Sequence, residues 1–250
     1  RAVKWDLGVN FSLNRSKVLV LSEDKDIFGG ELDNTILKDQ LNLMRVGEPM
    51  YVFYGYVEDG YDENGHIVYK NMDDDPAITA ADKTIIGDPN PDFLVNLTTA
   101  VSYKGFTLSA FFQSSIGNDI YSLSMAAQAY DYGYNGNTLR EVYYNHWTPE
   151  NPTAKYPNLD QTSYKMSDRF VYDGSFVRLK NLELAYDVPC ARSKFIKRAR
   201  VYVSAQNLFT ITSYPFWDPD INANGGGSSM IQGVDSYCYP SARTYTIGCR

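Results

Sequence analysis

An unusually long run of alternating side chains near the start of the chain constrains the fold more than any other feature. From residue 2 to residue 13 polar side chains alternate with the apolar set Val3, Trp5, Leu7, Val9, Phe11 and Leu13. Such alternation predicts a single β-strand, because successive side chains of a strand point to opposite faces. Globular strands are usually about 5 or 6 residues long, whereas a tilted strand that crosses a bilayer needs about 9 to 11. The run therefore indicates a strand of membrane-spanning length with one apolar and one polar face.

A second pair of long strands is expected in VNLTTAVSYKGFTLSAFFQ, residues 95–113. Apolar and polar side chains alternate on both sides of Lys104 and Gly105, and Gly tolerates the positive φ that a tight two-residue turn requires. The segment therefore predicts a β-hairpin, and we interpret its apolar face as lipid-facing. That face consists of Val95, Leu97, Val101, Phe106, Leu108 and Phe112. Further strands are expected at residues 176–186, 199–208 and 243–250.

Long connections separate the predicted strands. Residues 114–167 contain one short helical candidate at 138–147, and residues 213–241 have the composition of a loop throughout. Connections in compact soluble domains have a median length of about 4 to 6 residues, whereas outer-membrane barrels combine short turns at one end with long loops at the other. The sequence therefore predicts an all-β fold that forms a portion of a transmembrane antiparallel β-barrel with long extracellular loops. Residues 44–57 are rich in aromatic side chains but alternate too irregularly to assign their facing.

The composition excludes several classes of function. A net charge of −7 provides no surplus of Lys and Arg for a phosphate backbone, so no nucleic-acid partner is expected. The cysteines lack CxxC spacing, which argues against a zinc site. They are Cys190, Cys238 and Cys249. Neither His66 nor His146 lies beside a Ser or Cys in a nucleophile setting, so we predict that the protein is not an enzyme.

One acidic segment has the spacing of a calcium-binding loop. In NMDDDPAITAAD, residues 71–82, side-chain oxygens fall at loop positions 1, 3, 5 and 12, which are Asn71, Asp73, Asp75 and Asp82. Hard oxygen ligands at this spacing wrap a calcium ion in known loops. However, Pro76 replaces the Gly of position 6, and position 12 is Asp rather than Glu. The segment predicts a degenerate calcium-type metal site, and the alternative is a solvated acidic loop.

Aromatic side chains are concentrated in the long connections. Such side chains either stack on sugar rings or peptide side chains, or they pack the loops onto one another. The sequence leaves both alternatives open and assigns no substrate-binding residue. The set includes Tyr130, Tyr132, Tyr134, Tyr143, Tyr144, Trp147, Phe216 and Trp217.

Six stretches, which together cover most of the chain, carry a further signal. The stretches are RVGEPMYVFYGYVEDG (45–60), IIGDPNPDFLVNLTTAVSYKGFTLSAFFQSSIGNDIY (85–121), WTPENPTAKYP (147–157), SDRFVYDGSFVRLKNLELAYDVP (167–189), RVYVSAQNLFTITSYPFWDPDIN (200–222) and YPSARTYTIGCR (239–250). They resemble the C-terminal part of SusC/RagA-type TonB-dependent outer-membrane transporters, and they occur in the order that the family has.

The resemblance implies a barrel of about 22 strands that encloses a plug, with room here for about seven or eight of those strands. Residues 1–250 are then part of one TonB-dependent receptor β-barrel domain, from the C-terminal part of the protein. The plug and the segment that contacts TonB are expected N-terminal to this region. Family members finish on an aromatic residue, whereas this chain stops at Arg250 within a predicted strand, so we expect further residues beyond it.

The resemblance also implies a function and a location. It implies an energy-coupled importer in the outer membrane of a Gram-negative bacterium, with an oligosaccharide or peptide substrate. The implied partners are a SusD-like surface lipoprotein, the TonB complex and outer-membrane lipid. The residues themselves leave two alternatives, a soluble secreted β-sandwich that binds carbohydrate and a β-rich glycosidase, which needs two carboxylates about 5 to 10 Å apart.

Overall fold

A computed structural model describes residues 2–33, 37–130, 137–190, 197–221 and 230–250. Within these ranges the chain is predominantly β-structure. The strands are β1 (Lys4–Ser12), β2 (Ile27–Phe28), β3 (Glu31–Asp33), β4 (Lys38–Gln40), β5 (Asn42–Met44), β6 (Val52–Gly55), β7 (Glu58–Tyr61), β8 (Ile67–Tyr69), β9 (Thr84–Gly87), β10 (Phe93–Tyr103), β11 (Phe106–Ile116), β12 (Asp119–Ser122), β13 (Val171–Asp173), β14 (Phe176–Val188), β15 (Ala199–Thr212), β16 (Val234–Asp235) and β17 (Thr244–Cys249). The helices are α1 (Leu123–Tyr130) and α2 (Arg140–Tyr144).

The long strands form one antiparallel sheet. Its order is β1-β10-β11-β14-β15-β17, and every neighbouring pair is antiparallel. This sheet confirms the long strands predicted from alternation, with six of them in the described ranges where seven or eight were expected. It does not close on itself, since β1 and β17 are its two edges.

The register aligns the apolar side chains of all the strands on one face. One row across the sheet runs Trp5, Val101, Leu108, Leu184, Val203 and Ile247. These side chains are between 41% and 84% exposed, so nothing in the described chain covers them. The hairpin register also places the six predicted apolar residues of β10 and β11 together on this face. The opposite face is polar, as in the row Asp6, Ala100, Ser109, Glu183, Ser204 and Thr246.

The turn between β10 and β11 has the predicted geometry. Lys104 and Gly105 have φ values of 48° and 89°, which is the combination of two positive angles found in a type I′ turn. The turn matches the twist of the flanking strands, so the hairpin pairs without a shift from Tyr103 and Phe106 to its far end.

The three long connections leave the sheet at the same end of its strands. β1 pairs so that Ser12 lies opposite Leu94, at the end of the sheet remote from the β10–β11 turn. Because the strands alternate in direction, residues 13–92, 117–175 and 213–243 all emerge at that remote end. The short turn side and the long connection side are therefore separate, as the sequence predicted.

The long connections at this end of the sheet fold together, which their composition did not predict. These connections contain the short strands β2–β9, β12, β13 and β16 and both helices. We call the described residues of the three connections the loop unit. The loop unit has a core drawn from all three connections: Leu32, Leu37, Leu41, Phe53, Tyr56, Ile67, Tyr69, Tyr121, Leu123, Met125, Ala126, Ala129, Tyr130, Val142, Tyr156, Met166, Phe170 and Val234. Residues 44–57 contribute β6 to this core, which explains their aromatic content.

Only one of the two helices was expected. α2 lies inside the predicted helical segment 138–147 but is limited to five residues. α1 was not predicted, and seven of its eight residues are buried, so it lacks the polar face on which a helical period is recognised. No helix in the described ranges has the length and apolar character to cross a membrane.

Candidate functional site

The polar face of the sheet meets the loop unit around Arg178. This residue lies on β14 in the cross-strand row Asn10, Asn96, Gln113, Arg178 and Thr210. Arg178 is only 2% exposed, whereas Asn96 and Gln113 in the same row are half-buried and Asn10 is exposed. A guanidinium this deeply buried needs partners for its donors.

Four side chains from the strand and the loop unit surround the Arg178 guanidinium. Nε donates a hydrogen bond to Thr210 Oγ1 at 2.8 Å on the neighbouring strand. Nη1 donates to Asp220 Oδ2 and to Ser241 Oγ, each at 3.3 Å, and Nη2 donates to Asp218 Oδ1. Arg178 therefore connects the sheet to two stretches of the connection 213–243, and we call these five residues the Arg178 clamp.

Asp218 is the fully engaged acid of the clamp. Its Oδ1 accepts a hydrogen bond from the Asp220 amide, and its Oδ2 accepts one from the Ser241 amide, each at 2.9 Å. Burial alone would raise the pKa of Asp218, but these amides and the Arg178 guanidinium outweigh burial and hold the pKa below its ordinary value. The carboxylate is thus ionised in the folded state, as an ion pair with Arg178 requires.

A cleft of about 360 Å³ opens beside the clamp. Side chains of β15, of the segment 213–221 and of the segment 236–243 line it, among them Asn207, Trp217 and Arg243. Asn207 lies where β14 and β15 shift register, and its φ of 51° places it in the left-handed region that Asn tolerates. Its Nδ2 donates to the Ala242 carbonyl at 2.9 Å, which fixes the side chain at the wall of the cleft.

Trp217 forms the rim of the cleft. Its indole stacks on the Phe216 ring with centroids 4.7 Å apart and an interplanar angle of 19°. Phe216 in turn packs against the core of the loop unit, and the next residue along the chain is Asp218 of the clamp. The indole is 55% exposed, so a rigidly held aromatic face is available to solvent.

The other aromatic candidates divide between packing and exposure. Tyr130 and Trp147 are buried, whereas Tyr143 and Tyr144 on α2 are exposed. Tyr132 and Tyr134 lie outside the described residues. Packing of the loops therefore accounts for the buried members, and substrate stacking by the exposed members stays a prediction.

The calcium-type segment 71–82 does not form a metal-binding cluster of side chains. No group of three or more His, Cys, Asp or Glu side chains in the described ranges is placed to hold an ion. Oδ1 atoms of Asn71, Asp73 and Asp75 instead accept hydrogen bonds from the amides two residues further on, at 2.8 to 3.1 Å. The alternative of an acidic loop thus accounts for the hydrogen bonds seen, and calcium binding stays a prediction.

Asp82 closes this segment. Its carboxylate accepts hydrogen bonds from the Met72 and Thr79 amides, both at 2.7 Å. These two hydrogen bonds lower its pKa from the ordinary value, because they stabilise the ionised form. Asp82 therefore joins the two ends of the segment with its own oxygens.

The sequence reasoning missed the Arg178 clamp. Arg178 and Asp218 are 40 residues apart, and no local spacing connects them. The one available signal was the position of Arg178 on the polar face of a predicted strand, between apolar residues on either side. The Trp217 rim was included among the aromatic candidates, but its role could not be separated from packing without the structure.

Comparison with known proteins gives consistent matches over the whole chain. The sequence is 32% identical to TonB-dependent receptor P3 of Formosa agariphila, over 98% of this chain and 26% of that protein. It is 28% identical to TonB-dependent receptor SusC of Bacteroides thetaiotaomicron, over 98% of this chain and 24% of that protein. No protein-family model matches. The chain spans about a quarter of the length of these curated relatives.

Solved structures agree with the sequence matches. The RagAB peptide importer in its open-open state has a TM-score of 0.76 and 25% identity, over 99% of this chain and 26% of that chain. In its closed-closed state the TM-score is 0.80, with 24% identity over 99% of this chain and 27% of that chain. These neighbours confirm the predicted barrel-type fold.

The relatives also decide between the alternatives that the residues left open. They are receptors and importers, which confirms the prediction that the protein is not an enzyme and removes the glycosidase alternative. A soluble β-sandwich is removed as well, since the matched proteins belong to the bacterial outer membrane. Over 98% of its length this chain therefore matches SusC/RagA-type TonB-dependent transporters of the Gram-negative outer membrane, as a fragment of about a quarter of their length.

Proposed function

We propose that this chain forms part of the wall and of the extracellular mouth of an energy-coupled importer for glycan or peptide oligomers. The continuous apolar face of six registered strands, opposite a polar face, carries the proposal. In a transmembrane barrel the apolar face meets lipid and the polar face lines the lumen. The short turns then lie on the periplasmic side, and the loop unit lies outside the cell.

The sheet and the loop unit have different roles in this proposal. The sheet supplies a wall, since its backbone groups are paired from strand to strand, as hydrocarbon requires. The loop unit has its own hydrophobic core, so it maintains a fixed shape at the mouth instead of a set of independent loops. The Arg178 clamp attaches that shape to the wall where the lumen opens.

The whole transporter needs parts outside the described chain. We propose that a SusD-like surface lipoprotein closes over the loop unit and that TonB supplies energy through a segment N-terminal to this region. The RagAB neighbour is a peptide importer, which supports transport of an oligomer rather than of a single monomer. We include in the same proposal that residues 1–250 form part of one barrel domain. Calcium is not required by it.

Energy-dependent uptake tests the proposal. Cells with the intact transporter gene and cells with residues 93–116 deleted in frame are compared for uptake of fluorescent oligosaccharides and peptides. We expect uptake in the intact cells alone, and we expect a protonophore to abolish it. Uptake that persists in the deletion strain or resists the protonophore would contradict the proposal. Co-purification of the tagged full-length transporter, followed by mass spectrometry, checks for the lipoprotein.

A further inference from the structure

We propose that the cleft beside Trp217 binds one pyranose ring of an acidic oligosaccharide, such as a uronate oligomer. This inference rests on the proposed import function and names the substrate class for one position at the mouth. Two observations carry it, which are a pre-positioned indole at the rim of the cleft and an exposed guanidinium in its lining that has no ion pair within the described ranges.

The indole of Trp217 has the geometry of a platform. Phe216 covers one of its faces and connects it to the core of the loop unit. The adjacent Asp218 is held by Arg178, so the backbone on the other side of the indole is anchored as well. An exposed aromatic ring that is already immobile loses little conformational entropy when a flat apolar ligand surface stacks on it. The C–H face of a pyranose ring is such a surface.

The wall of the cleft carries hydroxyl groups suited to a sugar. Thr210 and Ser241 both line it. Each hydroxyl oxygen accepts a hydrogen bond from the Arg178 guanidinium, at 2.8 Å for Thr210 and 3.3 Å for Ser241. A hydroxyl that accepts in this way still has its own proton to donate to a ligand oxygen.

The charge balance of the cleft selects an acidic ligand. Its charged lining residues are Arg178, Asp218 and Arg243. Arg178 and Asp218 neutralise each other, whereas Arg243 is exposed and has no ion pair within the described ranges. A free guanidinium binds a carboxylate in a bidentate manner, so the cleft favours a ring that bears one. This local cation contrasts with the net charge of −7 of the chain.

Binding to the full-length transporter in detergent micelles tests the inference. The probes are hexagalacturonate, hexamannuronate, the neutral maltohexaose and an acidic hexapeptide. The variants are Trp217→Ala, Trp217→Phe and Arg243→Gln. Tyr144→Ala is the matched control, because Tyr144 is also an exposed aromatic residue but does not line the cleft. Heat-modifiable mobility on gels verifies that each variant is folded.

We expect a uronate hexamer to bind the wild-type transporter more tightly than maltohexaose. Trp217→Ala should weaken uronate binding about tenfold and Trp217→Phe about threefold, because the smaller ring keeps part of the contact. Arg243→Gln should weaken uronate binding about fivefold and leave maltohexaose unchanged, and Tyr144→Ala should change nothing. Added salt should weaken the uronate complex in the wild type more than in Arg243→Gln.

Several results would overturn the inference, and each is separable from the import function. Absence of uronate binding, or uronate binding that Trp217→Ala leaves intact, refutes the site. Binding of the hexapeptide alone refutes the substrate class while import itself stands. Conversely, uronate binding that depends on Trp217, together with uptake that resists a protonophore, supports the site and contradicts the proposed energy coupling.

Discussion

Removal of the Arg178 guanidinium should loosen the mouth of the barrel without unfolding its wall. In Arg178→Met the buried Asp218 loses its counter-ion but keeps two backbone amide donors. Loss of one partner from a buried ion pair costs about 3 to 5 kcal/mol, and the remaining amides place this case near about 3 kcal/mol. Asp220 is partly exposed, so water compensates it and it adds little.

Hydrogen exchange measures this cost locally. The full-length transporter in detergent is exchanged and digested, and peptides from residues 213–221 and 236–243 are compared between wild type and variant. If their protection arises from local opening, a loss of about 3 kcal/mol accelerates exchange by about 150-fold. Peptides from β10 and β11 should keep their wild-type protection, since none of their residues belongs to the clamp.

Two further variants show whether charge burial is the cause. Arg200→Met removes an arginine on the same polar face whose ion pairs with Glu183 and Asp187 are 3.6 and 3.7 Å long and partly exposed, so the expected loss is about 0.5 kcal/mol or about a twofold change in exchange. The double variant Arg178→Met with Asp218→Asn leaves no buried charge of the clamp uncompensated, since Asp220 is partly exposed, so it should recover at least half of the lost protection. Equal effects of the two arginines, or no recovery in the double variant, would refute the reasoning.

Three other predictions concern the wall, the loop unit and the acidic segment. Leu108→Arg on the apolar face should impair assembly by about 2 to 4 kcal/mol if it lies near the midplane, whereas Thr107→Arg on the polar face should not, as judged by the folded fraction in outer-membrane preparations. Leu41→Ala in the core of the loop unit should cost about 2 to 5 kcal/mol of local stability, seen as faster exchange there with the sheet unchanged. The folded-state pKa of Asp82 is depressed, so its stabilising effect is present above the unfolded pKa and is lost as pH falls through the folded pKa. Hydrogen exchange of residues 71–82 should therefore accelerate in acid in the wild type. The same exchange should depend less on pH in Asp82→Asn.

The sequence was most informative where one physical environment extends over a whole strand. β1 and the β10–β11 hairpin were predictable because each has a single apolar face, and the alternation persists for nine or more residues. The turn at Lys104 and Gly105 was predictable for a separate reason, since its conformation depends on the residues in the turn. Both signals are local.

The loop unit was not predictable by the same reasoning. Each of its strands has two to four residues, too few to establish a period of two. Its core joins residues as distant as Leu32 and Val234, so each connection shows only a fraction of the apolar pattern. α1 adds a second difficulty, because a helix that is buried on nearly every side has no polar face to define its period.

The difference between the two parts explains why the clamp is ionic. The sheet exposes its apolar face, so lipid must cover it, while the core of the loop unit is internal. In the row of Arg178 the polar face presents side-chain amides and a hydroxyl, which favour hydrogen bonds over apolar contact. The backbone of β14 places Arg178 on that face, where hydrogen bonds to Asp218, Asp220 and Ser241 depend on direction as well as distance. Such bonds fix the orientation of the loops over the lumen, which an apolar contact of equal strength would specify less sharply.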